Sequence, residues 1–225
     1  MIYSIGDSHA YFTFSDIPGV RFRPLGPVTM KRIGNNRVRK NFFPELGLVM
    51  ADEHTEYVVD TLLDDTIRGM GLQPTDVVVI SCGEGDVRCF IKPQLEQRKL
   101  DPEQLLFGMA ERYVARLKTL DTNGAQVAIL SIPPPSPYAR CWNIEFIPSQ
   151  LNLPPAGTDR ERDIYTRMLN HYVACGCNAL GLLFIDVHSQ YADSDGMLMA
   201  ELSDGGVHIK DTSRVRDILR TMGLL

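Results

Sequence analysis

The sequence predicts an α/β fold built on a mostly parallel sheet with helices on both faces. Three observations carry that reading. Short apolar runs of strand length alternate along the chain with stretches of helical periodicity, the pattern that gives a parallel sheet with crossover helices. The run Asp76 to Cys82 (Asp-Val-Val-Val-Ile-Ser-Cys) is continuous and β-branched, as in a strand buried on both faces. Polar clusters follow the strand ends at Gly6 to His9, Gly83 to Arg88 and Ser203 to His208. In an open parallel sheet these ends share one edge, where ligands bind.

The elements follow in order. An apolar run of strand length opens the chain and stops at Gly6-Asp7-Ser8, where glycine permits a tight bend and Asp7 and Ser8 open a helix. Val20 to Leu25 alternates apolar and polar, reads as an edge strand because of Pro24, and is broken by Gly26-Pro27. Asn35 to Gly47 lacks periodicity and reads as a loop with Phe42 and Phe43 turned inward. Asp52 to Met70 has helical spacing, ended by Gly69 and Gly71. After the strand at 76–82, Asp101-Pro102-Glu103 opens a helix to about Leu120. Val127 to Ile132 is the next buried strand, stopped by Pro133 to Pro137. Pro137 to Gly157 is proline-rich and aperiodic, a lid or pocket-lining loop holding Tyr138, Trp142 and Phe146. Thr158 with Glu161 is a capping-box pattern for a helix to about Ala174. Leu182 to Val187 is the last strand, and Asp211 or Thr212 caps a terminal helix ending at Gly223. No repeat or linker divides the chain, so residues 1–225 read as one domain.

A net charge of −5 leaves no basic footprint for nucleic acid or an anionic membrane. The local exception is Lys31 to Lys40, a solvated face or the rim of a site for an anionic substrate. The five cysteines form neither a disulfide framework nor a zinc spacing. Free thiols, no signal-peptide pattern and no apolar run of about 18 residues make the expectation a cytoplasmic chain without a membrane span.

The chemistry sits in the three clusters. A serine becomes nucleophilic with a base at hand, and histidine titrates in the right range. A carboxylate then fixes the tautomer of that histidine. Ser8, His208 and Asp204 fill these roles in chain order Ser, Asp, His. His188 is the rival base, although Asp186 and His188 read as a local hydrogen-bonded pair, and Asp193 and Asp195 are rival acids. His9 reads as a packing or capping residue, and Glu84 with Arg88 reads equally as a structural ion pair. A metal-dependent phosphoesterase using Asp7, Asp86, His188 and His208 is a distant alternative, since no two of these have close ligand spacing.

This arrangement resembles the SGNH, or GDSL-type, hydrolases. The carrying residues are Gly6-Asp7-Ser8, Gly83-Glu84-Gly85-Asp86, and Asp204 with His208. The resemblance implies a three-layer α/β/α sandwich around a five-stranded, flavodoxin-like sheet, and a serine esterase that needs no metal or cofactor. It implies Ser8 as nucleophile, His208 as base and Asp204 as orienting acid. The Ser8 N–H serves an oxyanion hole, with Gly26 (or its competitor Gly34) as the second-block glycine. Two departures stand out. The family's oxyanion asparagine is replaced by Gly85, which makes Arg88, held by Glu84, the candidate replacement; the block reads Gly-Glu-x-Asp-x-Arg, as in a divergent subgroup. The family's acid stands three residues before the histidine, where this chain has Gly205, so Asp204 comes one residue early. The expected reaction is hydrolysis of an acyl ester, acetyl and carbohydrate esters included. The alternative is a non-hydrolytic acyltransferase or glycan-binding protein.

Overall fold

A computed structural model describes residues 1–24, 59–141 and 155–225. Gly26, Gly34, the Lys31–Lys40 cluster, Phe42, Phe43, the helix start at Asp52, Trp142 and Phe146 lie outside the described residues.

Among the described residues, five strands form one sheet: β1 (Ile2–Gly6), β2 (Val20–Pro24), β3 (Val77–Ser81), β4 (Gln126–Leu130) and β5 (Leu183–Ile185). Their order is β2-β1-β3-β4-β5, and every pairing is parallel. The helices are α1 (Ser8–Phe12), α2 (Val59–Arg68), α3 (Ile91–Arg98), α4 (Pro102–Lys118), α5 (Tyr138–Cys141), α6 (Asp159–Leu180), α7 (His188–Tyr191) and α8 (Ser213–Thr221).

Strand alternation sends side chains into two cores, one on each side of the sheet. Ile5, Val78, Ile80 and Ile129 pack against Leu63 and Ile67 of α2, Leu106 and Tyr113 of α4, and Leu169 and Val173 of α6. Ile2, Val77, Val79, Ala128 and Ile185 pack on the opposite face against Phe14, Leu198, Ile209, and Val215 and Leu219 of α8. The result is the three-layer α/β/α sandwich.

The helix boundaries follow from local chemistry. Asp101 caps α4 by accepting from the Gln104 N–H at 3.0 Å, with Pro102 in the first turn. Thr158 and Glu161 make the reciprocal capping box of α6. That helix runs past Ala174 to Leu180 and ends on Gly181 in the left-handed conformation. Gly176 lies inside it because a Cβ there would meet Val114 of α4 at 3.3 Å. The cluster after β3 is helical as well: a π-helical turn, Asp86–Phe90, leads into α3.

From β1 the chain steps out to β2, then returns to place β3 on the other side of β1. The carboxyl ends of β1 and β3 therefore flank the point where the winding reverses, the position at which such sheets open a crevice.

Candidate active site

The site starts from the close approach of β1 and β3. Gly6 has φ +150°, and a Cβ there would stand 1.9 Å from the Ser81 carbonyl oxygen. Only glycine lets the chain turn here. The Asp7 N–H then donates to that same carbonyl at 3.1 Å. The Asp7 side chain accepts from the His9 N–H at 3.0 Å and from the Ser81 hydroxyl at 3.4 Å. Asp7 is thus the N-cap of α1 and Ser8 its first residue. N–H groups of a first helical turn have no intrahelical acceptor, so the backbone at Ser8 is suited to receive an anionic oxygen.

The loop before α8 brings the partners. Ser203 and Ile209 form an isolated antiparallel bridge, and the Asp204 N–H donates to the His208 carbonyl at 3.0 Å. Gly205, at φ +91°, makes the tight return between them. One Asp204 oxygen accepts from the N–H groups of Gly206 (2.8 Å) and His208 (3.2 Å). The other lies 2.9 Å from His208 Nδ1. On the far side of the ring, His208 Nε2 lies 2.9 Å from Ser8 Oγ. With Nδ1–H donating to the carboxylate, the lone pair of Nε2 faces the serine hydroxyl. The Gly205 turn lets a carboxylate four residues before His208 reach its Nδ1.

Helix α1 supplies more than the serine. Phe12 stacks on the His208 ring at 4.0 Å and 22°, and the His9 ring lies 4.9 Å away at 51°. Burial, and next the charge of His9, push His208 down to about 4. Burial works to raise Asp204, but the bonds from His208 and the Gly206 N–H outweigh it and leave the carboxyl below its ordinary value.

Behind these residues lies a buried charge cluster. Arg88 grips Glu84 with Nε at 2.6 Å and Nη2 at 3.2 Å. His9 Nε2 stands 3.8 Å from the same carboxylate. Burial opposes the charge of Glu84, and Arg88 with His9 overcomes it, holding the carboxyl well below its usual range. Glu84 in turn raises Arg88 above the ordinary guanidinium value.

The sequence-predicted residues divide accordingly. Ser8, His208 and Asp204 meet, and Glu84 holds Arg88. Gly85 has ordinary helical angles (φ −61°, ψ −32°) at the start of the π-helical turn. His188 is not hydrogen-bonded to Asp186: its N–H donates to Ser131 Oγ at 3.2 Å, while Asp186 accepts from the Ser189 N–H. Asp193 is occupied in its own turn, accepting from the N–H groups of Asp195 and Met197. Sequence reasoning missed Phe12 and the place of His9 beside the His208 ring. A helix opening at Ser8 puts residue 12 one turn on, over the same face, which is the signal that points to Phe12. No group of three or more His, Cys, Asp or Glu side chains among the described residues is arranged to hold a metal ion. No helix among them is long and apolar enough to cross a membrane.

Comparison with protein-family models and with curated proteins gives no match. Solved structures do share the fold. An aryl esterase of M. smegmatis superposes with a TM-score of 0.54 at 16% identity, over 100% of this chain and 99% of that one. A GDSL-like lipase from Bacteroides thetaiotaomicron gives 0.53 at 15% identity, over 98% and 83%. A carbohydrate acetylesterase from Sinorhizobium meliloti gives 0.50 at 13% identity, over 100% and 99%. At these identities the likeness speaks for the three-layer fold.

Proposed function

We propose that the protein is a serine ester hydrolase of the SGNH (GDSL) type. The observation that carries this is the pair of contacts through the His208 ring, Ser8 Oγ to Nε2 and Nδ1 to Asp204 Oδ2, each 2.9 Å long. In this reading Ser8 Oγ attacks the ester carbonyl carbon as its proton passes to His208 Nε2. The Ser8 N–H, with Gly26 as second donor, receives the negative charge on the carbonyl oxygen. His208 returns the proton to the departing alcohol, leaving an acyl-serine. Water then attacks that ester, His208 takes its proton, and the carboxylic acid leaves as Ser8 recovers its hydrogen. Asp204 keeps the ring in the tautomer that both halves need.

In this reading Arg88 takes the role of the missing asparagine: two of its five N–H groups hold Glu84, and the guanidinium is the group assigned to the developing oxyanion. The esterases of the same fold support an acyl ester as substrate, and the S. meliloti protein supports a carbohydrate acetate among the candidates. The lack of any side chain at Gly85 favours a second reading, acyl transfer to an acceptor other than water.

The test is hydrolysis of p-nitrophenyl acetate against longer-chain esters. Ser8→Ala and His208→Ala are expected to lose at least about 1000-fold in turnover, and Asp204→Asn less than either, with circular dichroism unchanged. A fully active Ser8→Ala protein would sink the proposal. Acylation of an added sugar without release of free acid would favour the transferase.

A further inference from the structure

His9 follows the serine directly and is 1% exposed. Neither ring nitrogen has a hydrogen-bond partner among the described residues, and the Glu84 carboxylate at 3.8 Å lies beyond hydrogen-bond reach. A buried imidazole left this way is costly unless a charge beside it compensates. The surroundings supply carboxylates from two elements: Asp7 from the cap of α1, and Glu84 from the segment after β3, itself gripped by Arg88. The fourth ionisable neighbour is His208, whose ring centre is 4.9 Å away.

Resting on the Ser8–His208 reading above, we infer that His9 is a positioning residue for the base: a buried imidazolium, held by the Glu84 carboxylate, whose charge faces His208 and keeps that ring from taking up a proton in acid. The groups facing His208 among the described residues are Asp204 on its own loop, His9 on α1 and Glu84 after β3. The two carboxylates attract a proton to His208, and His9 repels it. Burial works against charge on His9 and Arg88 adds to that, while Glu84 and Asp7 prevail and hold its pKa above the ordinary histidine value. One short helix thus delivers the nucleophile, a flat ring under the base, and a charge beside it.

The sign is definite. Removing the His9 charge makes protonation of His208 easier, so His208 titrates at higher pH and the acid limb of kcat/KM moves up with it. Two like charges about 5 Å apart in a half-wet site make that rise on the order of one pH unit.

The experiment is histidine-labelled NMR of wild type, His9→Phe and His9→Gln, beside pH–rate profiles with p-nitrophenyl acetate. His9→Phe keeps an aromatic ring against His208, and His9→Gln keeps a polar group in the buried site, so one folded variant suffices. The expected result is a His208 midpoint about one unit higher in either variant, with the acid limb displaced equally. A midpoint unchanged in a folded variant overturns the inference. A midpoint that rises in a protein without ester hydrolysis upholds the coupling between the rings and overturns the hydrolase reading instead.

Discussion

Asp7 serves two ends that pull against each other. Its oxygen caps α1 through the His9 N–H, which any short polar acceptor can do. Its burial makes ionisation costly: desolvation, opposed by His9 and reinforced by Glu84, pushes the carboxyl up to about 6. A carboxyl that holds its proton more tightly in the folded chain stabilises the fold below its unfolded value near 3.8, and that contribution is lost as pH rises through 6. Asp7→Asn keeps the cap and never ionises. It is expected to be more stable than wild type at pH 7, by up to about 3 kcal/mol, and to converge with it below pH 4. Urea titrations at both pH values check this; a gap that does not depend on pH would assign Asp7 to capping alone.

At the scale of elements, α1 is too short to persist unaided: five residues cannot repay the cost of helix nucleation. It is fixed by Asp7 at one end and by the turn at Gly6, so the serine is only as well placed as that turn. Gly6→Ala would drive a methyl into the Ser81 carbonyl, with its oxygen at 1.9 Å and its carbon at 2.8 Å. Backbone has to move, and the expected loss is at least about 2 kcal/mol. The midpoint of urea unfolding should fall, and so should the ester hydrolysis proposed for Ser8. The same scale explains what the sequence made legible. The β-branched run at 76–82 announced β3, and the Thr158–Glu161 pattern announced the start of α6, because both signals are local. The end of α6 was misread at Ala174 because Gly176 is small for the sake of Val114 on another helix, which no local pattern reveals. The polar cluster after β3 hid a helix because Gly85 takes ordinary helical angles. Ser8, Asp204 and His208 were recognisable by residue type and order. Their setting was not, because the contacts of Ser8, His9 and Phe12 with His208 join residues some 200 positions apart.

Across the whole molecule, the cysteines report on both the layers and the site. Cys177 lies in the core between sheet and α6, and Cys82 stands just past β3 in the same core. Cys89 and Cys141 are buried near the charge cluster, where Arg88 and Glu84 act on both thiols. Only Cys175 is exposed, since two residues along a helix turn a side chain to nearly the opposite face. Burial is the largest cause raising each of the four inner thiols, with Cys89 and Cys177 pushed up to about 12. The thiolate is the reactive form, so these four are protected both by access and by proton affinity. At pH 8 an aromatic disulfide reagent should therefore modify one thiol rapidly, and Cys175→Ser should abolish that phase. The other four should react together, at a rate that follows unfolding as guanidinium is added, because a sheet packed on both faces opens as one cooperative unit. Independent reaction of Cys89 and Cys141 ahead of Cys82 and Cys177 would mean instead that the edge carrying Glu84 and Arg88 opens on its own, and the charge cluster would then be a local structure resting on the core rather than part of it.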